Sequence, residues 1–103
     1  MLDNRKRRPT HPGELLREEI LPETSLTQSE LARRLGVSRR MLSDVINERR
    51  AVTPDLAHRL ARAFNTTPEL WLNLQQAVDV WETLEAHRSD YTKIKPLSDQ
   101  RAA

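Results

Sequence analysis

A short segment of the chain presents polar side chains that can hydrogen-bond the edges of DNA bases. These outward-facing residues are Arg39, Arg40, Ser43 and Asn47. Arginine can pair bidentately with guanine and asparagine with adenine in the major groove, whereas serine is a less selective contact. The apolar residues between them recur at three- and four-residue steps and predict a helix whose other face is buried. They are Met41, Leu42, Val45 and Ile46. The chemistry that this segment indicates is base recognition.

The residues before this segment predict the helix and the tight turn that position it. Leu31 and Leu35 lie on one face of a helix, and the small Ala32 beside them allows a second helix to cross closely. Gly36 can adopt the left-handed backbone conformation that ends a helix. Ser38 has the side chain of a helix N-cap. A helix, a glycine turn and a second helix with a polar outer face form the outline of a helix-turn-helix DNA reader.

The start of the first of these helices adds a residue to the predicted DNA surface. Thr27 and Glu30 have the spacing of a capping box. Gln28, just inside the helix start, is expected to point toward the molecule that the motif binds. An ordinary pair of antiparallel helices with a solvated arginine face would share the apolar stripe and the turn glycine. The small residue at the crossing and the capping serine favour the helix-turn-helix.

Length and composition limit the other functions of the chain. With 103 residues, the chain is long enough for one helical core but too short for a multilayer enzyme with a deep cleft. The lack of cysteine excludes disulfides and thiolate metal sites and fits a reducing cytoplasm, where we expect the protein to be located. No apolar run approaches the roughly 20 residues that span a bilayer, so we expect no membrane association. The net charge is only +2, and its basic excess lies in the half that holds the predicted DNA reader.

The chain divides into three parts. Residues 1–10 include the run RKRR and are expected to form a flexible basic arm, which either is solvated or follows DNA phosphates or a minor groove. Residues 11–88 form the helical domain, and residues 89–103 form a C-terminal tail. Within the domain, Pro12 is expected to begin the first helix and Pro22 to end it.

Two later helices and a basic loop complete the domain. Arg49 and Arg50 follow the predicted recognition helix and are placed to contact the DNA backbone. The pairs Thr53-Pro54 and Thr67-Pro68 each have the chemistry of a helix start, with a cap followed by proline at the first helical position. We expect neither a cofactor nor a metal ion.

The last predicted helix is longer than the core requires. It begins near Pro68 and is expected to run to about His87. Its outer turns carry an apolar strip that a five-helix core does not easily cover. We assign this strip to a homodimer interface formed by Val78, Trp81 and Leu84. In the alternative, the tail folds back over the strip through Tyr91, Ile94 and Leu97.

The chain resembles the Xre-type helix-turn-helix family, also called the Cro/C1 or phage-repressor type, over about residues 14–72. The similarity is carried by TQSELARRLGVSRRMLSDVI and TPDLAHRLARAFNTTPE. A more specific similarity links residues 11–81 to the HigA (VapI-like) antitoxins. It is carried by HPGELLREEIL near the start and by TTPELWLNLQQAVDVW at the end.

The resemblance implies an all-α, five-helix, lambda-repressor-like domain that dimerises through its C-terminal region. It implies binding to a palindromic operator in double-stranded DNA and neutralisation of a RelE-like, mRNA-cleaving toxin of the HigB kind. Carried over by motif position, the DNA-facing residues are Gln28, Ser38, Arg39, Arg40, Ser43 and Asn47. The basic extension before Thr10 and the tail after Arg88 depart from the family pattern, so the resemblance does not assign the toxin-contact surface.

Three other functions compete with this interpretation. A stand-alone Xre-type or phage-type repressor would share the DNA reader and lack a toxin. A protein-interaction module would turn the arginine face to an acidic partner, and salt-dependent DNA binding would argue against it. An enzyme is disfavoured because the three histidines, His11, His58 and His87, are scattered and no glycine-rich phosphate loop is present.

Overall fold

The computed structural model describes residues 7–97, and within that range the fold consists of five helices without a strand. Helix α1 joins an α-helical turn, Pro12–Leu15, to a π-helical segment, Leu16–Ile20, and a second α-helical turn, Leu21–Thr24. The later helices are α2 (Gln28–Leu35), α3 (Arg39–Ile46), α4 (Pro54–Phe64) and α5 (Pro68–Thr92). Helices α2 and α3 are the two helices of the predicted helix-turn-helix, and the predicted fold class is confirmed.

Helices α2 to α5 begin at the caps that the sequence predicts. At each start a side-chain hydroxyl accepts a hydrogen bond from the backbone N–H three residues later, which satisfies a donor that the helix leaves free. The capping residues are Thr27, Ser38, Thr53 and Thr67. Thr27 and Glu30 form the complete capping box, with distances of 3.1 and 2.8 Å for its two hydrogen bonds. Gly36 ends α2 at φ 76°, in the left-handed region.

Helix α1 does not end at Pro22 as the sequence predicted. The helix continues to Thr24 and ends at Ser25, whose backbone is left-handed at φ 63°. Proline has no N–H to donate to the carbonyl four residues earlier, and the π-helical segment directly before this turn changes the hydrogen-bonding pattern there. The missing N–H of Pro22 is accommodated at the start of the second α-helical turn.

The start of α1 lies against the end of α3. A Cβ on Gly13 would clash with the backbone carbonyl oxygen of Val45 and would lie 3.0 Å from that of Ile46. Glycine is therefore required here by close backbone approach, not by its own φ. This contact fixes where the recognition helix ends relative to α1.

The core lies between the helix-turn-helix and the long final helix. Its largest fully buried side chains come from all five helices and include Leu16, Leu31, Leu42, Leu60 and Trp71. Ala32 is 2% exposed, as expected for the small residue where two helices cross. Buried Gln75 of α5 accepts a hydrogen bond from the backbone N–H of Val52 at 2.9 Å and so holds the segment after α3 against the last helix.

Helix α5 extends beyond the predicted end. The backbone departs from helical geometry at His87, where the sequence placed the end, but helical structure resumes and reaches Thr92. The assignment of Val78 to an exposed strip was wrong, because its side chain is 1% exposed within the monomer. The helical periodicity correctly places Val78 on the apolar face of α5. At this position, however, that face is already buried by packing within the domain.

The described part of the tail, residues 89–97, does not cover the apolar strip. Tyr91 is 40% exposed, Ile94 is 72% exposed and Leu97 is fully exposed, so the alternative of a tail folded back over α5 is also wrong. Val80 and Leu84 remain 61% and 37% exposed. Residues 98–103 of the predicted tail and residues 1–6 of the predicted arm lie outside the described residues. Among the described helices, none is both long enough and apolar enough to cross a membrane.

Candidate DNA-binding surface

The N-terminal half of α3 carries the two arginines of the candidate surface that are least engaged in contacts within the protein. Ser38 caps the helix, and its Oγ accepts from the N–H of Met41 at 3.0 Å. Arg39 is exposed and, within residues 7–97, forms no ion pair closer than 4.0 Å. The side chain of Arg40 is 87% exposed and lies 3.8 Å from Asp44, a long and weak ion pair. Either guanidinium group can therefore bind an external partner without breaking a strong interaction within the protein.

The C-terminal half of α3 carries polar groups that bond to one another. The side-chain amide of Asn47 donates to the carbonyl oxygen of Ser43 at 2.9 Å and to its hydroxyl oxygen at 3.3 Å. Asn47 is the C-cap of the helix and is exposed. Its amide oxygen can accept a hydrogen bond as it stands, whereas full pairing with an adenine edge also needs one N–H, which requires the NH₂ group to give up one of its two contacts to Ser43.

Several predicted site residues meet around one shallow depression on the surface of α3. It is lined by Arg39, Arg40, Ser43, Asp44 and Arg49. Arg49 is held there by Asp44, at 3.1 Å between the guanidinium and the carboxylate. Gln28 and Arg50 do not line this depression: Gln28 is the half-buried first residue of α2, and Arg50 is exposed in the loop after α3.

The loop after α3 contains a charged cluster that the sequence did not reveal. Glu48 accepts from Arg8 at 2.7 Å and from Arg17 at 3.1 Å, although these partners lie 40 and 31 residues away in the chain. Burial alone would raise the pKa of Glu48, but the hydrogen bonds from the two arginines outweigh it and hold that pKa below its ordinary value. The loop that the sequence presents as basic therefore also holds a carboxylate that pairs with two arginines from elsewhere in the chain.

The last basic residues of the predicted arm lie against the domain. Arg8 also pairs with Glu82 of α5 at 2.7 Å. These two carboxylates raise the pKa of Arg8 above its ordinary value. Arg8 is thus paired within the protein, whereas the sequence left open whether the arm is solvated or contacts DNA.

His11 is a buried cap and not a surface histidine. Its side chain is 4% exposed, and its Nδ1 accepts from the N–H of Gly13 at 2.8 Å. Burial lowers the pKa of His11, and an acceptor role at Nδ1 requires the neutral ring. Among residues 7–97, no group of three or more metal-binding side chains is assembled at this or any other position.

Two of the three candidate dimer residues line a groove on the outer half of α5. Trp81 and Leu84 share it with Ala77 and Val80, and the backbone segment from Arg7 to Thr10 forms its opposite wall. A smaller depression next to it is lined by Val80, Leu84 and Tyr91 together with Asp79 and Thr83. Trp81 and Leu84 are therefore accessible on the strip, while Val78 is not.

Comparison with known proteins gives consistent matches over most of the chain. A profile of the family described as Helix-turn-helix matches residues 16–71. The chain is 41% identical over 92 residues to Antitoxin HigA-1 of Vibrio cholerae, covering 89% of this chain and 87% of that protein. These matches are to a DNA-binding domain family and an antitoxin, and not to enzymes, as expected from the sequence.

Two solved structures share the fold. One is described as Pseudomonas aeruginosa antitoxin HigA with higBA promoter, with a TM-score of 0.84 and 38% identity, covering 88% of this chain and 100% of that chain. The other is antitoxin GraA in complex with its operator, with a TM-score of 0.83 and 40% identity, covering 89% of this chain and 94% of that chain.

Proposed function

Because the chain belongs to the helix-turn-helix family and, within it, to the HigA antitoxins, we propose that it represses its own operon and neutralises a RelE-like, mRNA-cleaving toxin. The observation that carries the DNA-binding part is the exposed arginine pair at the start of α3, on a fold shared with antitoxins that were solved with promoter or operator DNA. The proposed site of action is the cytoplasm, where operon DNA and the toxin are both present.

The proposed mechanism places α3 in the major groove. Base edges are read by Arg39, Arg40, Ser43 and Asn47. Ser38 at the helix start donates a hydrogen bond through its hydroxyl group. This assignment is supported by the exposure of the two arginines and by the short side chains of Ser43 and Asn47 that follow them, which let the helix approach the bases closely. The helix cap at Ser38 uses the oxygen of the hydroxyl and leaves its hydrogen available to a phosphate or a base.

Phosphate contacts fix the register of the helix. We assign them to Gln28 at the start of α2 and to Arg49 and Arg50 in the loop after α3. The first N–H groups of α2 and the positive end of its dipole favour an anion beside Gln28. Arg49 is oriented by Asp44, so its guanidinium is partly organised before DNA is bound.

A homodimer would read a palindromic operator. The support for it is the apolar strip of α5, where Val80, Leu84 and Tyr91 are exposed and Trp81 lines the adjoining groove. A two-fold axis at this strip presents two copies of α3 to half-sites about 34–36 Å apart, one helical turn of DNA.

Co-expression with each adjacent open reading frame tests the antitoxin function. We expect one neighbour to stop cell growth when it is expressed alone, and growth to recover when this chain is co-expressed. The two proteins should then copurify in a stoichiometric complex whose mass identifies its composition. Operator binding without a toxic neighbour or a copurifying partner would instead establish a stand-alone repressor.

A further inference from the structure

Glu48 has an unusual backbone conformation at an informative position. It follows the cap of the recognition helix directly, and its φ is 63°, in the left-handed region that side chains other than glycine and asparagine seldom adopt. A residue persists in such a conformation when its surroundings hold it there, and such positions concentrate at functional sites. The side chain of Glu48 is 20% exposed, so its carboxylate is largely withdrawn from solvent.

Two arginines hold this carboxylate, one in the segment before α1 and the other in α1. Arg8 donates to one oxygen at 2.7 Å, and Arg17 donates to the other at 3.1 Å. Arg17 also donates to the carbonyl oxygen of Ile46 at 2.6 Å, at the last residue of α3. Arg8 continues to Glu82 of α5 at 2.8 Å through its Nε. The cluster therefore ties the end of the recognition helix to α1, to the residues before α1 and to the last helix.

We propose that Glu48 is a positioning residue that sets the DNA selectivity of this protein. It orients the loop that carries Arg49 and Arg50, and it keeps Arg8 and Arg17 engaged within the protein. This inference rests on the DNA-binding function proposed above. No contact between Glu48 and DNA is required.

The charges of the cluster give the direction of the effect. An unpaired carboxylate beside DNA repels phosphates, but two guanidinium groups neutralise this one within the protein. Without it, Arg8 keeps only Glu82, and Arg17 keeps only Glu18 and the carbonyl of Ile46. Each guanidinium group then has free donors for phosphates, and phosphate contacts strengthen binding to any sequence. At the same time the loop loses the bonds that fix it, so base contacts at the end of α3 become less well aligned. Selectivity falls from both causes.

The test compares Glu48→Gln and Glu48→Gly with wild type on the upstream operator and on a random duplex of equal length. Asp55→Asn is the matched control, because it removes one exposed carboxylate that pairs with an arginine on α4, Arg59, at 2.9 Å. All three substitutions change the net charge equally. We expect the ratio of random to operator Kd to fall by about tenfold or more in both Glu48 variants, and to stay within about twofold of wild type in Asp55→Asn. Binding to random DNA should become more salt-dependent in the Glu48 variants.

The two Glu48 variants separate positioning from folding. Glycine relieves the left-handed strain at this position, whereas glutamine keeps it. Relief of this strain in Glu48→Gly offsets stability that is lost with the carboxylate. If the carboxylate acted only on stability, Glu48→Gly would bind with wild-type selectivity once its unfolding midpoint equals that of wild type. Unchanged selectivity in both variants would overturn the inference while wild-type operator binding stands. Failure of the wild type to prefer the operator would instead overturn the proposed function.

Discussion

Base recognition by this surface depends on how easily each side chain of α3 leaves its own partner. Arg39 has no ion pair within the described residues, and Arg40 has one long contact to Asp44. The NH₂ group of Asn47, in contrast, makes two contacts to Ser43, at 2.9 and 3.3 Å, and must give up at least one of them to donate to a base. A bond already made in the free protein reduces the net gain from making another with DNA. The arginines should therefore dominate the energy of recognition, and Asn47 should refine it.

Substitution of the two arginines tests this order. Arg39→Ala and Arg40→Ala should each weaken operator binding by about 1–3 kcal/mol if the residue pairs bidentately with guanine, and should weaken binding to random DNA much less. Fluorescence anisotropy at a fixed salt concentration measures both affinities. Arg62→Ala, which removes an exposed arginine from α4, is the control for net charge. Equal losses on operator and random DNA would identify the substituted residue as a phosphate contact.

At the scale of elements, the start of α1 shows why the HPG sequence occurs where it does. His11 caps the helix, Pro12 occupies its first position, and Gly13 allows the carbonyl groups at the end of α3 to approach. The three residues together place α1 against the recognition helix. Because the cap requires a neutral imidazole, this junction should weaken in mild acid.

The pH dependence of stability tests the cap at His11. Its pKa is below the ordinary value of 6.5, so the unfolded chain binds this proton more readily than the folded protein. The contribution of His11 to stability should therefore be complete above about pH 6.5 and lost as the pH falls below it. Charged groups around the ring act in both directions: Glu48, Glu82 and Asp79 oppose the lowering, and Arg8 adds to it.

Urea unfolding of wild type and His11→Asn provides the measurement. Asparagine can accept the same hydrogen bond at a helix start but does not titrate. Between about pH 8 and pH 5.5, the free energy of unfolding should fall more for wild type than for the variant. This range stays above the ordinary Glu pKa of 4.5, so the lowered pKa of Glu48 does not contribute. Equal losses in the two proteins would show that His11 binds its proton equally well in the folded and unfolded states, so that burial does not lower its pKa.

The elements that the sequence predicted well are those decided by neighbouring residues. The caps at Thr27, Ser38 and Thr53 and the turn at Gly36 depend on side chains within a few positions of the helix end, and all are present. The capping box could be read from two residues three apart. The predicted helix end at Pro22 was wrong because the sequence shows that an N–H is missing but does not show how the preceding helix adjusts its hydrogen bonds.

The features that the sequence could not provide depend on distant partners. The Arg8–Glu48–Arg17 cluster joins residues that only the folded chain brings together. No local sequence pattern distinguishes Glu48 from an ordinary solvated glutamate. Burial of Val78 likewise depends on how α5 lies across the domain, which periodicity along one helix does not specify. For the same reason the sequence could propose a surface for DNA but could not identify which of its charges were already neutralised.

On the scale of the whole molecule, the two proposed surfaces require each other. One copy of α3 reads a single half-site, and a second copy adds affinity only when an interface holds it at the spacing of one DNA turn. The outer half of α5 is the candidate for that interface, because Val80, Leu84 and Tyr91 remain exposed there. An antitoxin without this interface would be a weak repressor even with an intact recognition helix.

Leu84→Glu tests this interface by placing a charge on the strip, and Ala86→Glu adds the same charge at an exposed position about half a helical turn away. Sedimentation velocity at micromolar concentration should give a dimer for wild type and Ala86→Glu, and a monomer for Leu84→Glu. The monomeric variant should bind a two-half-site operator about 100-fold more weakly, while its affinity for an isolated half-site stays unchanged. Val78→Ala should instead lower the unfolding midpoint without changing the mass, because that side chain is buried within one subunit. A monomeric wild type, or a Leu84→Glu variant that still dimerises, would remove this strip from the assembly and require another surface to set the half-site spacing.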